Sequence, residues 1–123
     1  MAKSYKELDI YVISFHLFER THKFSLELPN YELYELGSQL RRSADSINSN
    51  IVEGYGRKRY KNDFSKFLTY AHSSNDETIN HLKKIKVLYP QFESEVSSLI
   101  NEYDQLGGKI YNFIDYVLKN WKT

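Results

Sequence analysis

Cysteine is absent from this chain, which removes disulfides, thiolate metal sites and cysteine nucleophiles together and suits a reducing cytoplasm. Proline occurs twice and glycine five times, so little interrupts regular structure. No apolar run approaches the ~20 residues that cross a bilayer. Residues Met1 to Glu7 lack the apolar stretch of a signal peptide. The expected location is therefore the cytoplasm, with no membrane partner. No Gly-x-Ser-x-Gly, P-loop or Gly-x-Gly-x-x-Gly occurs, so the common nucleophile and phosphate cradles are missing. Charge of one sign is also scarce: the net is +1 over 123 residues.

What the chain does have is long helical periodicity. Its length and 41% hydrophobic content predict one domain spanning residues 1–123. Apolar residues recurring at three- and four-residue steps predict helices over about 8–24, 31–53, 62–88 and 91–121. The expected inward stripes are Leu8, Tyr11, Val12, Phe15 and Phe18 on the first, and Leu33, Leu36, Leu40, Ala44, Ile47 and Ile51 on the second. On the third they are Phe64, Phe67, Leu68, Ala71, Thr78, Leu82 and Ile85. The fourth carries Phe92, Val96, Leu99, Tyr103, Leu106, Ile110, Phe113, Val117 and Trp121 at near-heptad spacing. No strand-period window appears. Four long amphipathic helices with short loops predict an all-α, antiparallel up-down-up-down four-helix bundle.

Local signals refine this picture. Asn30 is the expected cap of the second helix, and Gly54 and Gly56 its expected stop. Arg41 and Asp45 are spaced for an i,i+4 pair on the outer face. Gly107-Gly108 implies either a bend in the fourth helix or the close approach of another backbone. Eleven tyrosines stand beside seven phenylalanines and one tryptophan, and tyrosine is favoured where a side chain has one dry and one wet end, interfaces included.

Two polar stripes flank the apolar ones: Gln39, Ser43, Ser46, Asn50 and Glu53 on the second helix, and Ser74, Glu77 and His81 on the third. Their expected task is to order packing through hydrogen bonds, including contacts between subunits. Glu53 opposes the negative end of the helix dipole, so compensation from the stripe or from a cation of a neighbouring subunit is expected. Residues 41–61 hold six Lys/Arg (Arg41, Arg42, Arg57, Lys58, Arg59, Lys61) against two acids. Cations interleaved with Tyr55 and Tyr60 suit a phosphate backbone and unstacked bases. A solvated loop that keeps the protein soluble is the plainer explanation. A metal-binding bundle would need two Glu-x-x-His motifs and two more glutamates. The chain offers one, Glu19 to His22, and an i,i+4 pair, Glu77 and His81. No metal or cofactor is expected.

Gln39-Leu40-Arg41-Arg42-Ser43-Ala44, Ser46-Ile47, Asn50-Ile51-Val52-Glu53-Gly54-Tyr55-Gly56-Arg57, Phe67-Leu68, Ala71, Ser74, Glu77-Thr78 and Leu82 resemble bacterial four-helix-bundle proteins encoded in 23S rRNA intervening sequences. The opening Leu8-Asp9-Ile10-Tyr11 resembles that family's start. The resemblance implies a homopentamer of antiparallel four-helix subunits with no catalytic residues. It extends to accessory proteins of diversity-generating retroelements, whose pentamers bind nucleic acid and a reverse transcriptase. Carried over, Arg41, Arg42, Asn50, Glu53, Gly54, Gly56, Arg57, Ser74 and Glu77 take structural or subunit-contact roles. Val52 stands where many relatives have alanine, and the modest net charge departs from the strongly basic retroelement relatives. The resulting expectation is a non-enzymatic homo-oligomer, pentameric, with RNA or DNA as a weakly held partner and no small-molecule substrate. Two other readings stay open: a protein-partner adaptor that uses exposed tyrosines, and a metal-binding bundle enzyme.

Overall fold

A computed structural model describes residues 4–122. Four helices, α1 (Asp9–Ser25), α2 (Leu36–Gly56), α3 (Lys61–Leu88) and α4 (Glu93–Asn120), are joined by turns that include short 3-10 segments at Asn30–Glu32 and Pro90–Phe92. A third 3-10 segment, Tyr5–Glu7, precedes α1. Among the described residues there is no strand, and no helix is long and apolar enough to cross a membrane. Each helix packs on its sequence neighbours, and α4 closes the ring on α1. Paired residues give the direction. Ser43 meets Thr78 while Ser46 meets Ser74; Phe64 meets Phe113 while Asn75 meets Tyr103. Ser14 meets Asn48 while Ser25 meets Arg41, and Thr21 meets Tyr103 while Phe24 meets Phe92. In every pairing one number rises as the other falls, so the bundle runs up-down-up-down.

Most residues of the expected stripes of α2, α3 and α4 form the core, while Leu33 and Phe67 are half-buried outside it. Leu40, Ile47, Ile51, Phe64, Leu68, Leu82, Ile85, Leu99, Leu106 and Ile110 are all fully buried. Proline sets the α3–α4 corner: Pro90 disfavours helical dihedrals at Tyr89, whose φ of −130° and ψ of 72° end α3, and itself opens the next turn. Glu93 and Glu95 in the first turn of α4 and Lys119 in its last complement the helix dipole.

The expectation for α1 holds only for Leu8, Tyr11 and Phe18, which pack half-buried against the core. Its inward stripe is Ile10, Ser14, Leu17, Thr21 and Phe24, while Val12 (41% exposed) and Phe15 (43%) look outward and Tyr11 and Phe18 are half-buried. The more apolar flank lost because the hydroxyls on the other flank found partners. Ser14 Oγ donates to Tyr11 O and accepts from Asn48 Nδ2, and Thr21 Oγ1 shares a 2.6 Å hydrogen bond with Tyr103 Oη. A buried hydroxyl costs little once it is bonded.

The start of α2 also differs. Asn30 does not cap it; it opens the 3-10 turn, and α2 begins at Leu36. The delay follows from Glu32, which is buried. Its Oε2 accepts from Tyr89 Oη at 2.5 Å, and its Oε1 accepts from the Leu36 amide at 3.4 Å.

The glycine pairs act only in part as expected: α2 does end at Gly56, but Gly54 lies inside it. α2 runs through Gly54 to Gly56 with no glycine at positive φ, so Gly54 does not stop the helix. It admits α3 instead: a Cβ there would lie 3.2 Å from Phe67 Cβ and 3.3 Å from Phe64 O. α4 continues unbroken through Gly107-Gly108, and what approaches is a side chain, with Asn75 Nδ2 2.9 Å from where a Gly107 Cβ would stand. A Gly108 Cβ would meet nothing within 4 Å. The two substitutions should therefore have opposite signs. Gly108→Ala gains helix propensity and raises stability by about 0.5–1 kcal/mol. Gly107→Ala displaces the Asn75 amide from Tyr103 O and lowers stability despite the same propensity gain. Paired urea titrations would check this.

Candidate functional site

The basic window 41–61 is one run in sequence and two places in space. Arg42 and Arg57 are separated by about 22 Å along α2 at 1.5 Å per residue. Arg41 is half-buried and turned inward: Nη1 donates to Ser25 Oγ at 3.0 Å and Nη2 to Leu33 O at 2.6 Å. The expected Arg41–Asp45 pair is absent for that reason; the guanidinium is engaged with the α1–α2 connection. Arg42 is exposed and borders a shallow groove between α2 and α3 with Gln39, Ser46 and Glu77.

The second place is the turn from α2 to α3. Gly56 is exposed there, and Arg57 is held three ways. Its Nε is 3.1 Å from Glu53 Oε2, its Nη1 is 3.9 Å from Asp63 Oδ2, and its guanidinium lies 4.7 Å from the Phe67 ring centroid. Glu53 is thus compensated from its own chain, one helical turn ahead. Lys58 Nζ sits 3.9 Å over the Tyr55 ring, and Lys58 O accepts from Trp121 Nε1 at 2.8 Å, which ties the turn to the end of α4. Arg59 lies 6.0 Å from the Tyr60 ring, and both are exposed. Lys61, half-buried, opens α3. Among the described residues Arg42, Lys58, Arg59 and Lys61 make no ion pair.

The polar stripes meet each other. Ser46 Oγ and Ser74 Oγ are 2.8 Å apart, and Thr78 Oγ1 is 2.8 Å from both Ser43 Oγ and Ser74 O. Asn50 Nδ2 donates to Ser46 O and Oγ at 2.9 and 3.0 Å. The stripes are a hydrogen-bonded seam between α2 and α3 of one chain. Glu77 stands at its rim, 3.6 Å from His81 Nε2. Glu19 and His22 are exposed on α1, and among the described residues no three His, Asp or Glu side chains come together as metal ligands.

Residues 6–112 match the model of the 23S rRNA-intervening sequence protein family. The chain belongs to that family. No curated protein matches it. The segment from Asn50 to Arg57 is a structural joint. Asn50 braces the seam, Gly54 admits α3, and Arg57 closes the turn by neutralising Glu53.

Sequence reasoning missed a further cationic place. Lys83 and Lys84 border an apolar surface of Leu36, Val87 and Leu88 at the opposite end of α3, with Val87 78% exposed. The run Lys83-Lys84-Ile85-Lys86 carries the signal, though less densely than the 57–61 cluster.

Proposed function

We propose that this intervening-sequence family member is a non-enzymatic helical subunit that assembles with copies of itself as a homopentamer and holds RNA weakly at its cationic turn. The observation that carries the assembly is an aromatic row on α1, in which Phe15 and His22 are exposed and Tyr11 and Phe18 are half-buried against the core. Tyr11, Phe15, Phe18 and His22 follow one another with ring centroids 5.9, 6.5 and 6.0 Å apart, and Val12 lies exposed beside them. A second copy is the occupant assigned to this row, since the hydroxyl-bearing stripes are engaged within the chain. The RNA contact at the turn is assigned to Lys58, Arg59 and Lys61, with Arg42 a separate contact farther along α2; within the 41–61 window these four cations are free of carboxylates. Arg41 and Arg57 are assigned to the fold. The absence of chemistry is part of the proposal: His16–Glu19, His72–Asp76 and Glu77–His81 are isolated helix pairs.

Sedimentation of the wild type at micromolar concentration should give a pentamer mass, and Val12→Glu with Phe15→Glu should give a folded monomer. A wild-type monomer overturns the assembly. For RNA, binding to a 23S rRNA fragment should weaken by about 0.7 log units per log unit of salt for each single-strand phosphate contact, and Arg59→Ala with Lys61→Ala should flatten that slope. A salt-insensitive partner unaffected by these changes would favour an adaptor that uses Tyr31 and Tyr34, 68% and 84% exposed.

A further inference from the structure

A second groove, of about 340 Å³, lies between α3 and α4. His72, Asn75 and Asp76 line it from α3, at the i, i+3 and i+4 positions of one face; Asp104, Gly108 and Tyr111 line it from α4. Asn75 is fully buried. Its Nδ2 donates to Tyr103 O at 2.8 Å, but its Oδ1 has no hydrogen-bond partner. A buried acceptor left without a donor is costly, and such groups call for a specific explanation. Gly107 lets the Asn75 amide reach α4, and the open space over Gly108 keeps the groove unroofed.

The lining selects by chemistry. Asp76 and Asp104 bring two carboxylates to the two walls, and neither pairs with a lysine or arginine among the described residues. Asp76 has only His72, at 3.8 Å. The groove is therefore acidic and asks for a positively charged donor. A bare metal ion does not fit, because the imidazole and the carboxylates do not converge on one point. A flat cation that donates from several edges suits acceptors carried on two walls. The His72 and Tyr111 rings, with centroids 6.3 Å apart, give it a surface to stack on. We propose that the α3–α4 groove around Asn75 is a binding site for a guanidinium group, presented either by a small free molecule or by an arginine side chain of a second copy.

The test uses the full chain, with agmatine as the guanidinium probe and putrescine as the ammonium control. In 15N-resolved spectra agmatine should give saturable shifts at His72, Asn75 (side-chain amide included), Asp76, Gly107 and Gly108, and putrescine should not. Asp76→Asn with Asp104→Asn replaces two exposed side chains and should weaken agmatine at least tenfold while leaving the fold intact. If a second copy supplies the group, the same double variant lowers the assembly mass in sedimentation, and millimolar agmatine competes with assembly. Equal responses to agmatine and putrescine would overturn the guanidinium assignment. No shift at Asn75 combined with an unchanged assembly mass in the double variant would overturn the site, leaving Asn75 Oδ1 with only a private water.

Discussion

Truncating Phe64 to alanine should cost about 3–5 kcal/mol of unfolding free energy, the range for emptying a packed aromatic site. Phe64 is fully buried in the first turn of α3. Its ring meets Tyr55 of α2, Phe113 of α4 and Trp121 just past α4 edge-on, with centroids 6.1, 5.8 and 5.1 Å away. Three elements therefore lose contact with one deletion, and the rigid helix ends around it restrict collapse into the space. A domain of this size has about 5–15 kcal/mol in total, so the variant should sit near its unfolding limit at room temperature. Urea titration with an unchanged m-value would measure it. Phe64→Leu should cost much less, and a loss below about 1 kcal/mol in the alanine variant would contradict the packing described. The cationic turn should suffer with it, because Trp121 packs on Phe64 and also holds Lys58 O.

The second large effect concerns the hydroxyl pair inside α1 and α4. Tyr103→Phe leaves Thr21 Oγ1 buried with nothing to bond, and Thr21→Val does the same to Tyr103 Oη; each should cost about 1–3 kcal/mol. Replacing both should cost less than the two single losses together, because no orphan is left. A strictly additive double variant would show that the 2.6 Å contact carries no coupling. The same pair governs alkaline stability. Burial pushes the Tyr103 phenol above its ordinary value, with the Thr21 hydrogen bond opposing in part. The folded protein therefore keeps a proton that the unfolded chain releases near pH 10. Stability from this group is fully present below that pH and lost above it, at up to about 1.4 kcal/mol per pH unit. Tyr89 is raised as well, first by its hydrogen bond to Glu32, and acts in the same direction. Tyr103→Phe should flatten the decline between pH 10 and 12; an unchanged profile would assign it elsewhere.

Much of the bundle was legible because α2 and α4 each carry a nearly continuous apolar stripe, and that of α3 is interrupted only at Asn75 and Thr78. For such a helix, burial has a single favourable answer. The stripe of α1 was misread because its two flanks compete: Tyr11, Val12, Phe15 and Phe18 outweigh Ile10, Leu17 and Phe24 by count. The decisive facts lay 34 and 82 residues away, in the partners that Asn48 and Tyr103 offer to Ser14 and Thr21. The candidate site divided in the same way. Cationic and polar residues are visible as types, but whether Arg41 faces solvent depends on Ser25 and Leu33. Whether Ser46 finds a partner within its own chain depends on Ser74.

Periodicity and composition alone determined four helices, their order, most of the core and the absence of disulfide chemistry, because those properties are local or counted along the chain. Tertiary structure alone decided which flank of α1 is buried, where α2 begins, that Gly54 and Gly107 make room for neighbours, and which arginines remain free. Those outcomes turn on hydrogen bonds and steric contacts made mostly between residues distant in sequence, and only the folded chain brings those residues together.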